Sequence, residues 1–420
     1  MKQLEQRLIS LEGKGLGSAP AGCRYADVAG LGWNLLNEDV SLPVAVLSQS
    51  RLQHNLRWMQ TFIGRYGVQL APHGKTTMSP SLFHLQLDHG AWGITLATAS
   101  QVQAAWRNGI KRILMANQLV GQGNMALIAD IKDDEFSFCC IVDSAENVDA
   151  LGRYFLSRGQ AIRVLLEYGV AGGRTGIRHQ EQEDAILEAV KRWPQSVKLI
   201  GIELYEGVLK QDADVRSFLR HVLNRTRVLV KQSVFVEPEV ILSGAGSAWY
   251  DVVAEEFSNQ EVGQPLQVIL RPGCYLTHDV GIYREAEQRI HATNVIAREM
   301  GQSLLPALQL WAYVQSRPEP DLAIMALGKR DAAFDAGYPV PALHFRPGGS
   351  AKPCILANDV KITAMMDQHA FMQVPADSDL KVGDMIAFDV SHPCLTFDKW
   401  RQLLLIDDQY QVVGAIETLF

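Results

Sequence analysis

The 420-residue sequence has no long apolar run, little cysteine and no excess of positive charge. No stretch approaches the ~18 apolar residues of a membrane-spanning helix, and residues 1–13 lack the apolar centre of a signal peptide. The net charge of −7 argues against nucleic acid or an anionic membrane as the main partner. We therefore expect a soluble, cytoplasmic protein without a nucleic-acid or membrane partner.

The chain has too few cysteines for disulfide bonds to stabilise the fold. Six cysteines occur in the whole chain, and two of them, Cys139 and Cys140, are adjacent, which does not suggest a disulfide framework. A hydrophobic share of 47% and a charged share of 20% are instead close to globular averages, so a large core is available. A chain of this length is typical of two domains.

Short β-rich runs alternate with longer segments of helical apolar spacing from about residue 44 to residue 273. This alternation predicts crossover connections and a parallel sheet. If the first run (44–47) is set aside, eight remain, the number that closes a (β/α)8 barrel. They are residues 68–71, 93–96, 112–115, 138–142, 163–167, 197–204, 239–242 and 267–270. An open doubly wound sheet satisfies the same pattern, so the count supports the barrel without proving it.

The pattern changes after about residue 281, where strand-like runs separated by glycine, proline and aspartate take over. These runs are 308–314, 322–325, 385–390 and 403–406. The predicted fold class is therefore α/β, with a (β/α)8 barrel followed by a smaller β-rich domain. We place the barrel at residues 41–285 and the β-rich domain at 286–420, with residues 1–40 packing on the latter.

Lys75 comes directly after the first barrel strand, and active sites form at the carboxyl ends of barrel strands. A lysine becomes a Schiff-base nucleophile only when burial or neighbouring charge lowers its pKa. His73, two residues earlier, could provide such a neighbour. A solvated loop lysine is nevertheless the commoner arrangement for this residue type.

Two glycine-rich segments follow later barrel strands. Residues 243–247 come after the seventh strand and before a helical segment, where barrels often bind phosphate through backbone N–H groups. An ordinary βα turn explains this segment equally well. Arg174 lies in the second segment, at the end of the fifth strand, where a guanidinium suits an anionic cofactor oxygen or a ring nitrogen.

His392-Pro393-Cys394 is a candidate metal site. In an extended segment, residues two apart face the same side, so the imidazole and the thiolate could meet on one ion. Such a pair favours zinc over magnesium and leaves positions open for water or substrate. The alternative is a buried cysteine beside a half-exposed histidine, without any metal.

Pro72-His73-Gly74-Lys75-Thr76 resembles the lysine motif of the D-serine dehydratase and D-threonine aldolase family. These are fold-type III pyridoxal-phosphate enzymes with an alanine-racemase-like fold. The resemblance spans roughly residues 40–410, and further motifs follow in the family order. They are Gly173-Arg174-Thr175-Gly176, Tyr205-Glu206-Gly207, Ser243-Gly244-Ala245-Gly246, Arg271-Pro272-Gly273-Cys274-Tyr275, Asp367-Gln368-His369, Gly383-Asp384 and Ser391-His392-Pro393-Cys394.

The resemblance implies that Lys75 is the catalytic residue and that the barrel binds pyridoxal 5'-phosphate. It assigns cofactor contacts to Lys75, Arg174, Tyr205, Ser243, Gly244, Ala245, Gly246 and Tyr275. It also places a divalent metal, zinc in the first instance, on His392 and Cys394 in the β-rich domain. The chain departs from the family at Tyr168-Gly169, where an acidic residue is frequent, and at Ala245 and Ser247, where glycine and threonine are commoner.

The family resemblance also implies a reaction on a small D-amino acid. Dehydratases of the family resemble this His-x-Cys pattern, whereas the aldolases have aspartate at the second position. We therefore expect metal-assisted dehydration of a D-3-hydroxy amino acid, with D-serine giving pyruvate and ammonia as the simplest case. Because enzymes of this fold often build the site from two subunits, we also expect a homodimer.

Three alternatives stay open. An aldolase would use the same lysine and metal but break the Cα–Cβ bond. A racemase would need an acid–base residue on the opposite face, for which Tyr275 is the candidate. A non-catalytic cofactor carrier is the third, although cofactor storage has no use for a metal pair.

Overall fold

The computed structural model describes residues 6–16 and 19–420, which fold around two β-sheets. Strand β1 (Val44–Ser48) and helix α1 (Gln49–Tyr66) precede the first barrel strand. Within the described ranges, no helix is both long enough and apolar enough to cross a membrane.

Eight parallel strands form the barrel. They are β2 (Gln69–Leu70), β3 (Ile94–Leu96), β4 (Arg112–Gln118), β5 (Ser137–Val142), β6 (Ile162–Tyr168), β7 (Val197–Leu204), β8 (Val240–Gly244) and β9 (Leu266–Leu270). Their order is β2-β9-β8-β7-β6-β5-β4-β3, and the two end strands meet through a parallel bridge between His73 and Thr95. This bridge closes the ring, so the predicted barrel is confirmed and the open sheet is excluded.

Helices alternate with these strands. They are α2 (Pro80–Asp88), α3 (Ala99–Arg107), α4 (Gln122–Ala129), α5 (Ala145–Ser157), α6 (Gln180–Arg192), α7 (Asp212–Lys231), α8 (Tyr250–Phe257), α9 (Ile282–Thr293) and α10 (Val295–Met300). Helix α7 shows why they pack on the barrel: Val215, Leu219 and Val222 recur at helical spacing and are buried. Each helix of this kind covers the outer face of the strands.

The barrel strands are buried on both faces, and their side chains alternate between two cores. Cys139 and Ile141 point into the barrel, whereas Cys140 and Val142 belong to the layer between strands and helices. The adjacent cysteines therefore face opposite sides of one strand. All six cysteines of the chain carry free thiols.

The second sheet has ten strands in the part of the chain that the structure describes. Besides β1 it contains β10 (Leu308–Glu319), β11 (Leu322–Met325), β12 (Val340–Phe345), β13 (Cys354–Ile355), β14 (Lys361–Met365), β15 (Ala370–Gln373), β16 (Met385–Asp389), β17 (Gln402–Ile406) and β18 (Val412–Glu417). The main path runs β13-β12-β16-β10-β1-β17-β18, while β11, β14 and β15 extend from β10. A single-turn helix, α11 (Cys394–Phe397), lies between β16 and β17.

Two details differ from the expected organisation. Strand β1, inside the range 41–285 assigned to the barrel, pairs antiparallel with β10 and parallel with β17. Its residues Val44–Leu47 are all buried, as expected for a strand that lies between two partner strands. Helices α9 and α10 also occupy residues 282–300, where the sequence pattern predicted the strand-like runs to begin.

The amino-terminal segment packs on the second sheet, where Ile9, Leu16, Val28 and Trp33 share a core with Trp311. Residues 1–5 and 17–18 of the predicted 1–40 segment lie outside the described residues. The domain limits at 40/41 and 285/286 stay predictions.

Candidate active site

Lys75 lies in a short 3-10 turn, Gly74–Thr76, directly beyond strand β2. Its side chain is exposed, while Gly74 and Thr76 on either side are buried. A Cβ on Gly74 would lie 2.7 Å from the Phe83 ring, so the turn needs glycine to pack this tightly. The lysine is thus presented at the barrel mouth by a turn that is itself fixed in the core.

His73 does not provide Lys75 with a positive charge. Burial holds the pKa of His73 well below its usual range, and the nearby charges of Lys75, Arg271 and Arg174 lower it further. Its Nδ1 atom is buried and has no hydrogen-bond partner in residues 6–16 and 19–420. The imidazole is therefore neutral, and it lies near three cationic side chains.

Arg271 and Glu203 form a buried ion pair at the carboxyl ends of β9 and β7. Arg271 Nη2 also donates to the carbonyl oxygen of Leu204 at 2.9 Å. Burial raises the pKa of Glu203 to about 8, although Arg271 opposes this shift. Among the described residues, Arg271 Nε and Glu203 Oε2 are both buried without a hydrogen-bond partner. Since buried polar atoms are normally hydrogen-bonded, this pair indicates a place where a polar ligand belongs.

Arg174 and Tyr205 meet at the same end of the barrel. The guanidinium carbon of Arg174 lies 4.7 Å from the centroid of the Tyr205 ring, within cation–π range. Arg174 is exposed and Tyr205 is half-buried, and burial raises the pKa of Tyr205. The structure therefore brings these two predicted residues together.

The glycine-rich loop already binds an anionic group. The backbone amides of Ala245 and Gly246 donate to the Glu206 carboxylate at 3.1 and 2.7 Å. Ala245 has a φ of 76°, in the region that favours glycine, which gives a reason for glycine being commoner at this position. Ser243 instead donates its hydroxyl to the carbonyl of Ile269 at 3.1 Å, inside the sheet. The amides of the loop, rather than the serine hydroxyl, have the geometry for an anion.

The contacts that the structure describes for Tyr275 do not connect it to Arg174 and Tyr205. It is buried in the main hydrophobic core, and the side-chain amide of Gln86 donates to its hydroxyl at 3.2 Å. Burial raises the pKa of Tyr275. Its assignment as a cofactor contact stays a prediction.

His392 and Cys394 lie between β16 and β17, in a turn rather than in the extended segment that the sequence suggested. Pro393 has φ −60° and ψ −44° and caps α11, which begins at Cys394. Proline is compatible with a helix start because its missing N–H is not needed there. The imidazole and thiol therefore converge through a helical turn, and not by strand alternation.

The electrostatics of this pair favour a thiolate. A hydrogen bond with Cys394 raises the pKa of His392 to about 9, and Asp335, whose Oδ2 is 2.8 Å from Nδ1, adds to this. Contacts with Cys274 and with His392 lower the pKa of Cys394 well below its usual range. The carboxylate on Nδ1 leaves Nε2 for a metal, an arrangement common among metal-bound histidines.

Two contacts join the two halves of the site. Cys394 Sγ lies 3.3 Å from the hydroxyl oxygen of Thr76, the residue after Lys75. Cys274 Sγ lies 3.7 Å from Cys394 Sγ. In the part of the chain that the structure describes, no three His, Cys, Asp or Glu side chains are gathered as a ready-made metal site. The imidazole and the thiol that were predicted to bind a metal are thus neighbours, with a second sulfur, that of Cys274, beside them.

The sequence interpretation missed four residues of this site: Glu203, Arg271, Cys274 and Asp335. Arg271 and Cys274 belong to a motif that the resemblance quoted, directly after the eighth barrel strand, so their position could have identified them. Glu203 and Asp335 do not lie in a comparable sequence motif. Their roles depend on which side chains the fold places opposite them.

The cluster fits the cofactor that the resemblance implies. Lys75, Arg174 and Arg271 bring three cations to the barrel mouth, and the unpartnered Arg271 Nε and His73 Nδ1 point to a polar ligand. Pyridoxal phosphate is a planar, anionic molecule, so cations and ring faces suit it. The thiolate and imidazole donors of Cys394 and His392 likewise fit zinc.

Two family models match this chain. Residues 47–266 match the "Alanine racemase, N-terminal domain" family, and residues 307–406 match the "Putative serine dehydratase domain" family. A D-threonine aldolase from Arthrobacter sp is 25% identical over 389 residues, which cover 91% of this chain and 92% of the relative. The first match covers barrel strands β2 to β8, and the second covers the segment that holds His392 and Cys394.

Solved structures share the fold. A D-threonine aldolase from Filomicrobium marinum superimposes with a TM-score of 0.74 at 21% identity, covering 92% of this chain and 97% of that one. The D-threo-3-hydroxyaspartate dehydratase from Delftia sp. HT23 gives 0.71 at 18% identity, covering 92% and 99%. A cysteine-to-alanine variant of such a dehydratase is described as being in the metal-free form.

Proposed function

This chain belongs to the alanine racemase N-terminal domain family of fold-type III pyridoxal-phosphate enzymes, and from that premise we propose that it is a metal-assisted lyase for a D-3-hydroxy amino acid. The observation that carries the proposal is the 3.3 Å contact between Thr76 and Cys394. It places the lysine turn of the barrel against the thiolate of the β-rich domain. A substrate held at Lys75 would therefore have its 3-hydroxyl near the proposed metal pair.

The barrel side provides the proton chemistry. Pyridoxal phosphate, when bound, supplies an electron sink for the negative charge that develops at the substrate α-carbon. Lys75 is the proposed catalytic residue, because its exposed amine can receive the α-proton at Nζ. Arg271, fixed by Glu203, and Arg174, stacked on Tyr205, are proposed to orient the bound ring and its anionic groups.

The β-rich side provides the metal ligands. A divalent ion, zinc in the first instance, would supply a Lewis acid for the 3-hydroxyl group. Nε2 of His392 and Sγ of Cys394 are the proposed donors. Asp335 accepts from Nδ1 of His392 and so fixes the ring tautomer that leaves Nε2 free to bind metal.

Dehydration is the first candidate reaction, with D-serine as the simplest substrate. It rests on the thiolate at position 394, where aldolases of the family have aspartate. Aldol cleavage is the second candidate, favoured by the match over 91% of the chain to a protein named D-threonine aldolase. Racemisation is less favoured, because the buried Tyr275 hydroxyl already bonds Gln86.

The products decide between the candidates. The cofactor- and zinc-loaded protein is incubated with D-serine, D-threonine and D-threo-3-hydroxyaspartate, and 2-oxo acid plus ammonia is measured against glycine plus aldehyde. We expect pyruvate from D-serine and none from L-serine. If glycine and acetaldehyde are the dominant products from D-threonine, aldol cleavage replaces dehydration as the proposed reaction. The proposed homodimer is tested separately, by the mass in solution.

A further inference from the structure

Cys274 is a buried cysteine with polar neighbours. It begins the 3-10 turn Cys274–Leu276 beyond strand β9, and its backbone amide donates to the Ser247 hydroxyl at 3.1 Å. Its Sγ lies 3.7 Å from Cys394 Sγ and 3.9 Å from the Thr76 hydroxyl oxygen. A cysteine that serves only as a small apolar side chain would contact aliphatic groups instead. This thiol faces the proposed metal pair.

The distance between the two sulfurs suits a shared ion. Two sulfurs bound to one tetrahedral zinc at about 2.3 Å stand about 3.8 Å apart. The observed separation of Cys274 and Cys394 is 3.7 Å. A disulfide would instead require about 2.0 Å. The sulfurs therefore stand where two thiolates on one ion would stand.

The ligand count gives a second, independent reason. Catalytic zinc sites usually have three protein ligands and one open position, whereas His392 and Cys394 supply two. Cys394 Sγ lies 3.7 Å from Cys274 Sγ and is also hydrogen-bonded to His392, so both other donors are neighbours of Cys394. The three are not yet gathered around one point in the described residues. His392 and its partner Asp335 are partly exposed, so the ring is not enclosed by the core.

We propose that Cys274 is a third protein ligand, so that the site is formed by two thiolates and one imidazole with one position open to the substrate hydroxyl. This inference rests on the proposed metal-assisted function. Two thiolates balance the charge of a divalent ion, and such soft donors select zinc over magnesium or calcium. The barrel, through Cys274, then binds the metal together with the β-rich domain.

The test counts thiolates on the metal. Cobalt(II) is loaded in place of zinc, and the thiolate-to-cobalt charge-transfer absorbance is measured for the unaltered protein, C274S, C394S and C354S. Cys354 is exposed on β13 and provides the matched control. C274S and C394S should each lose about half of the absorbance per cobalt, and zinc affinity should fall by more than about 100-fold. C354S should leave both unchanged.

Each outcome bears on the proposal. If C274S keeps the full absorbance and affinity, Cys274 is only a neighbour, and the metal-assisted lyase survives without it. If the unaltered protein binds no cobalt and turns over without metal, the metal part of the proposed function fails as well. Should C274S fail to fold, zinc X-ray absorption on the unaltered protein gives the sulfur count. Two sulfurs support the proposal, and one overturns it.

Discussion

The two halves of the site are built differently. On the barrel side, Lys75, Glu203 and Arg271 lie on strands or directly beyond them, and both members of the ion pair are buried. On the other side, His392 and Asp335 lie in turns and are partly exposed. Strand ends are positioned by the closed hydrogen-bond network, whereas turns can change without disturbing either sheet. We therefore propose that the cofactor chemistry depends on the barrel side, here called the rigid half, and that the choice of bond to break depends on the side of His392 and Asp335, here called the variable half.

Removing the amine of the rigid half should give the largest effect. Lys75→Ala should lower turnover by at least about 1,000-fold, because the barrel mouth then lacks its proton acceptor. The melting temperature should hardly change, since the side chain is exposed. Lys352→Ala, also exposed, is the control. Borohydride reduction and peptide mapping should place the cofactor on Lys75, and an adduct on another lysine would refute the assignment.

Removing the His392 imidazole, which belongs to the variable half, should separate metal binding from cofactor binding. His392→Ala should weaken zinc binding by more than about 100-fold and turnover with it, because one proposed ligand is lost. Cofactor absorbance should be unchanged, since its proposed contacts lie on the barrel. His221→Ala, exposed on α7, is the control. Loss of the cofactor in His392→Ala would show that the halves do not act separately.

The pH dependence of metal binding should also come from the variable half. The pKa of His392 is raised to about 9, so at pH 7 the imidazole carries a proton that a metal must displace. The part of the zinc affinity that depends on this proton should therefore rise about tenfold per pH unit and level off near pH 9. Calorimetry in buffers of different ionisation enthalpy measures the released proton. An affinity that is flat from pH 6.5 to 9 would contradict the arrangement.

The smallest effect is expected at the glycine-rich loop of the barrel. Glu206→Gln keeps one acceptor but loses the charge, so the amides of Ala245 and Gly246 are held less firmly. Cofactor affinity should fall about tenfold, the value of one charge-assisted hydrogen bond. The exposed Glu261→Gln is the control, and titration of cofactor absorbance is the measurement. A rise in affinity would mean that the carboxylate competes with the phosphate.

Much of the rigid half could be predicted from local sequence patterns. Each barrel strand is a short apolar run bounded by helical spacing, so all eight runs could be identified one at a time. Lys75 was located because strand ends in a barrel share one face. The alternation within β5 likewise determines that Cys139 and Cys140 face different cores.

The sequence by itself therefore determined the order of the eight barrel strands, the faces of those strands and the lysine at the barrel mouth. Only the tertiary structure decided that β1 leaves the barrel for the second sheet, and that Cys274 meets Cys394 across 120 positions of the chain. It also decided that Asp335 orients His392. The physical reason is that local patterns specify how a segment folds and which face it buries. They do not specify which distant segment it meets, because that depends on how both sheets pack together.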